Sequence, residues 1–148
     1  MKDIAGLENT LNEYFGKKAP ALPVNIKELL VKFAPWLSVI GVVLSLPAIL
    51  ALVGLGGIVA ITSPLGGVSG MQQGFGYMIS MVFLVATVAL EGLAIPGLFA
   101  KSRAGWKMMF YSVLVSAVGS ILGMNIVGAI IGFAIGCYFL FQVREYYK

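Results

Sequence analysis

Hydrophobic and polar positions divide the chain into blocks far longer than the period of any soluble helix or strand. No charged residue occurs from Phe33 to Leu90, a run of 58 residues, nor from Met108 to Val143, a run of 36. A bilayer-crossing helix needs about 20 apolar residues, so neither run suits a single span. Each reads instead as a hairpin of two helices. The pattern predicts an all-α membrane protein, a four-transmembrane-helix bundle with spans at about 35–61, 75–99, 106–122 and 126–142. Residues 1–33 precede it as an amphipathic segment, and residues 34–148 make the transmembrane domain.

In the leading segment Ile4, Leu7, Leu11 and Phe15 fall near one face of a helix over residues 3–15. Two placements remain open for it, the membrane interface or a dock on the protein itself. Pro20 and Pro23 end it. Asn25 and Glu28 have the spacing of a capping box, and Ile26, Leu29, Leu30 and Phe33 form the next apolar stripe. That segment either runs into the first span with a bend at Pro35 or stops just before it, and a kink at Pro47 and an end to regular helix near Gly54–Gly57 are expected in the span. An uncharged, glycine-rich loop is expected over Thr62–Gly74. Its Gly74-Phe75-Gly76 shares a triplet with potassium filters, but Gln72-Gln73 stand where Thr-Val would be, so the segment reads as a plain loop.

Composition agrees with this division. Apolar residues make up 59% of the 148 and charged residues 11%, against roughly 25% charged in soluble domains. All ten Lys and Arg fall before the first span, in the Lys101–Lys107 loop, or after the fourth span. The positive-inside rule puts that face, and both termini, in the cytoplasm of a multi-pass protein of the cell membrane. The net charge of +4 is then a topology signal and not a nucleic-acid patch. The expected partners are the lipid bilayer, anionic lipid headgroups at the cytoplasmic face and a second copy of the chain. Trp106 is placed as an interfacial anchor. No cleavable leader is expected; the first span serves as the insertion signal.

Packing is expected through small residues, because lipid offers little hydrophobic drive between helices. Gly128, Gly132 and Gly136 recur every four residues on the fourth span, and Ser112, Ser116 and Ser120 do so on the third. The stripes fit intrachain packing of these two spans or a homo-oligomer contact, and Gly132→Leu is expected to disturb either.

Chemistry is sparse. The chain has no histidine and a single cysteine, Cys137, so neither a metal site nor a cofactor is expected and Cys137 reads as apolar filler. Neither a phosphate-binding loop nor a nucleophile elbow occurs, and every lysine lies at an interface or in a tail, so an enzyme is not expected. Glu91 is the one carboxyl inside a span. A charge at a helix centre costs about 2.5–3.5 kcal/mol on insertion scales, so the group must be protonated or partnered. Thr87 lies one turn away on the same face, and Ser116 lies at a similar depth on the third span. Two readings follow. In the first, the chain is a non-enzymatic, structural or interaction protein that self-associates, with Glu91 a hydrogen-bonded structural carboxyl. In the second, it is a small proton- or cation-linked carrier or channel with Glu91, Thr87 and Ser116 as the binding site. A cavity that reaches Glu91 separates them.

Overall fold

The computed structural model describes residues 2–123 and 125–148, which are helical almost throughout. The elements are α1 (Lys2–Leu11), a π-helical continuation (Asn12–Lys18), α2 (Val24–Thr62), a 3₁₀ turn (Ser63–Gly66), α3 (Gly67–Phe99), α4 (Arg103–Leu122), α5 (Ile126–Gln142) and a final 3₁₀ turn (Arg144–Tyr146). Three of the helices are long and apolar enough to cross a membrane, over Val24–Gly56, Gly74–Phe99 and Arg103–Leu122. This is consistent with a membrane protein. The apolar helix α5 is shorter, at 17 residues.

Helix α2 is one continuous helix of 39 residues, about 58 Å long, with Pro35 and Pro47 inside it. It neither stops at Pro35 nor ends at the Gly54–Gly57 cluster. The division at residues 33/34 therefore falls within a helix. The expected capping box is absent, because α2 begins at Val24 and Asn25 lies in its first turn. Pro23 takes over the start: its carbonyl accepts from the amides of Ile26 (2.9 Å) and Lys27 (3.1 Å). The expected loop at Thr62–Gly74 is also corrected. It shrinks to the turn at Ser63–Gly66, and α3 begins at Gly67. Only Gly67 (φ 64°) has a backbone there that requires glycine. Glycine weakens a helix by about 1 kcal/mol in water, but an unpaired amide in hydrocarbon costs several, so the helix continues through the glycine-rich stretch. Of the turn expected at Gly123-Met124-Asn125, Met124 lies outside the described residues. Asn125 accepts from the amide of Gly128 at 3.0 Å and opens α5 where the sequence placed it.

The helices pack in chain order, α2 on α3, α3 on α4 and α4 on α5. The tightest approach joins α3 to α4. A Cβ on Gly105 would collide with the backbone carbon of Gly97, and one on Gly119 would sit 2.5 Å from Cβ of Phe83. Ala94 and Leu98 of α3 and Ser112 of α4 are buried between them. Of the α5 glycines, Gly136 would meet Val113 at 3.2 Å, Gly128 borders its own Asn125 cap, and Gly132 has nothing within 4 Å.

The basic end is closed by an aromatic and ionic knot. Trp106, expected as an interfacial anchor, is fully buried. Its Nε1 donates to the Leu140 carbonyl at 2.8 Å, and its ring stacks on Phe110 with centroids 5.7 Å apart. A buried indole needs a partner for its N–H, and the end of α5 supplies one. The Arg103 and Arg144 guanidiniums lie 4.6 and 5.6 Å from the Trp106 ring centroid. Both bond to the Glu8 carboxylate, Arg144 at 2.6 Å. Gln142, itself buried, donates to the Phe15 carbonyl at 2.9 Å and accepts from the Leu22 amide at 3.2 Å. The leading segment is thus docked on the ends of α4 and α5. The last residue joins the same knot: Arg103 N–H donates to the Lys148 carbonyl at 2.9 Å, and Lys148 N–H to that of Lys101 at 3.1 Å.

The two kinds of glycine predict opposite outcomes. Gly105→Leu forces backbone against backbone and should cost about 1–3 kcal/mol or abolish the folded monomer. Gly132→Leu should leave the monomer's melting temperature within a few degrees of wild type. Thermal unfolding in detergent, followed by size-exclusion, checks both.

Candidate functional site

Glu91 sits two turns before the end of α3, about 12 Å along the axis from Phe99. It is half-buried and borders two clefts. The larger, of about 500 Å³, lies between α2 and α5 over a floor of α3 and α4, and Ser38, Leu98, Val113, Phe139 and Tyr147 are among its walls. The smaller, of about 140 Å³, lies between α4 and α5, where Ser112, Ser116 and Ser120 face Gly128 and Gly132. The two small-residue stripes therefore meet across a narrow cleft instead of closing into a dry seam. Among the described residues, no cation lines either cleft.

Two more clefts extend the series. Ser116 and Ser120 also border a cleft of about 250 Å³ at the end remote from the basic face, together with Ser80, Thr87 and Asn125. Tyr147 also borders a cleft of about 380 Å³ at the basic face, together with Lys17, Lys27, Arg103, Gln142 and Arg144. Consecutive clefts thus share a polar side chain: Tyr147, then Glu91, then Ser116 and Ser120. Of the three expected site residues, Glu91 and Ser116 share one cleft and Thr87 and Ser116 share another, and no single cleft holds all three.

The polar groups along this line differ in how far they are satisfied. Ser45, Ser80 and Ser112 each donate to a carbonyl of their own helix, at 2.7, 2.9 and 2.8 Å. Ser38 Oγ and Tyr147 Oη are buried without a hydrogen-bond partner among the described residues. Burial pushes the Tyr147 phenol above its ordinary value, so it stays a neutral donor at physiological pH. Cys137 is completely buried.

Sequence reasoning placed Glu91 but not Ser38 or Tyr147. Ser38 is one small residue among several on α2, and Tyr147 lies past the last apolar run. Neither carries a spacing signal, since both come to the cleft through the packing of α2 and α5 around α3 and α4. Gln142 and Glu8 were missed for the same reason: their partners are more than ninety residues away in the chain. A comparison with known protein families, curated proteins and solved structures finds no match.

Water in the clefts is testable by thiol chemistry, which proceeds through the hydrated thiolate. Ser116→Cys should react with a small charged thiosulfonate about tenfold faster than Leu50→Cys, whose side chain is exposed on the apolar face of α2. Native Cys137 should stay unmodified. Mass spectrometry of the protein in lipid nanodiscs reads all three.

Proposed function

We propose that this chain is a small multi-pass membrane carrier or channel that moves protons or small cations past Glu91. The observation that carries the proposal is the position of Glu91 between two clefts, each of which shares a further polar residue with the next cleft toward its own end of the molecule. An ionisable group at this depth is expensive unless it serves a path or has a partner, and no basic partner lies in its clefts among the described residues.

In this reading α5 is the fourth span. At 17 residues it reaches about 26 Å, slightly less than the hydrocarbon core, and local thinning of the bilayer accommodates the difference. Both termini lie on the cytoplasmic side of the cell membrane, with the basic end anchored at anionic headgroups. The Lys17, Lys27, Arg103 and Arg144 side chains around the 380 Å³ cleft support that orientation. The function is non-enzymatic: Glu91 stands without the second carboxyl that acid–base hydrolysis uses. Ser116 and Ser120 pass the transported species toward Thr87 and the outer end.

A structural, self-associating role is the second reading. It is favoured by the most apolar stretch of α2, which contains no buried residue, and by the open face at Gly132.

Proteoliposomes loaded with a pH-sensitive dye separate the two. With a potassium gradient and valinomycin, the wild-type protein should acidify or alkalinise the lumen faster than protein-free vesicles. Glu91→Gln should return the rate to the protein-free level while keeping the melting temperature. Flux that survives Glu91→Gln contradicts the carrier reading. Absent flux, together with a concentration-dependent mass that Gly132→Leu abolishes, establishes the self-associating one.

A further inference from the structure

The 500 Å³ cleft beside Glu91 is mostly apolar and has three polar groups that the fold leaves unused. Its size suits an organic molecule better than a bare ion, since ligand pockets run from about 300 to 1,000 Å³. Leu37, Leu98, Met109, Val113 and Phe139 supply walls that would bury a hydrocarbon body. Ser38 and Tyr147 line the same cleft, 6% and 3% exposed, and their hydroxyl oxygens lie just beneath its wall without a partner among the described residues. Buried hydroxyls in native proteins nearly always find a partner, so two orphans in one cleft mark a missing one. Ser38 is the clearer of the two. Half-buried Ser45 and buried Ser112 donate to the carbonyl one turn back, and Ser38 does not.

We propose that this cleft binds a lipophilic ammonium ion, a hydrocarbon body carrying an N–H-bearing cationic head. The inference rests on the carrier reading of Glu91 and goes beyond it, adding an organic cation as a substrate class beside the protons or small cations. The body lies against the apolar walls between α2 and α5. Glu91 is the only charged residue among those described around the cleft, and its carboxylate matches a cation and repels an anion. A hydroxyl oxygen accepts as well as donates, so Ser38 and Tyr147 can each take an ammonium N–H that Glu91 does not use. A quaternary ammonium lacks those protons and a neutral alcohol lacks the charge, so both fit worse.

The test uses the full chain in lipid nanodiscs and radiolabelled 1-adamantylammonium as the probe, with binding read by scintillation proximity. Saturable binding is expected, displaced by unlabelled probe and about tenfold more weakly by 1-adamantanol or by the N,N,N-trimethyl analogue. Ser38→Ala and Tyr147→Phe each remove one oxygen and should weaken binding by about tenfold or less, while Glu91→Gln abolishes it. Retained melting temperatures show that the variants fold. Binding that is not saturable, or that is equal in wild type and Glu91→Gln, overturns the proposal. Glu91-dependent proton flux without saturable probe binding removes the substrate class and leaves the carrier reading standing. Saturable, Glu91-dependent binding without flux does the reverse, leaving a binding protein that does not transport.

Discussion

Hydrocarbon offers a polar group no water to bond with, and the structure follows from that deficit. In the three helices long and apolar enough to cross a membrane, each backbone amide would have to be satisfied along its own helix. This constraint carries α2 through two prolines and a glycine cluster, and starts α3 at Gly67, where a soluble chain of the same composition would form a loop. The same deficit leaves few polar side chains in these helices and sends the hydroxyls of Ser45, Ser80 and Ser112 back to helix carbonyls. Against that background an unbonded hydroxyl or a lone carboxyl is informative, because little in the surroundings can excuse it.

Packing then decides where the exceptions lie. The backbones of α3 and α4 come into direct contact at Gly97 and Gly105 and again approach closely at Gly119. Helices α2 and α5 are carried on the outer sides of that pair, joined to it by contacts such as the Tyr77 hydroxyl on the Leu52 carbonyl and Trp106 Nε1 on that of Leu140. The space left between α2 and α5 is the larger cleft, and Glu91 faces it from α3. At the basic end, Glu8 draws Arg103 and Arg144 together over the Trp106 ring, and Gln142 holds the leading segment across the ends of α4 and α5. The knot is built from ion pairs and hydrogen bonds, whereas the cleft is mostly apolar, with Glu91, Ser38 and Tyr147 as its polar side chains.

Much of the helical framework was legible in the sequence, because charge gaps and apolar length are local properties. The limits of α5 and the isolation of Glu91 could be read directly from Asn125, Gln142 and the 58-residue neutral run. The glycine-rich stretch before Gln72 misled, since glycine signals a loop only where water can take over the backbone bonds. Trp106 misled because an aromatic beside basic residues looks like an interfacial anchor, and its burial depends on Glu8, Arg144 and Leu140, all distant in sequence. The clefts were out of reach for a related reason. A stripe of serines facing a stripe of glycines has the same spacing whether the helices touch or stand apart, and the separation is set by Val113 against Gly136 and by the α3–α4 contact.

The account depends on Glu91 being in communication with water through the clefts. Infrared spectroscopy of the protein in lipid, at a pH low enough to protonate Glu91, tests this most directly. It predicts a carboxyl band, absent from Glu91→Gln, that shifts as soon as the film is exchanged into D₂O. A Glu91 band that stays unshifted after prolonged exchange would show a sealed, structural carboxyl and contradict the account.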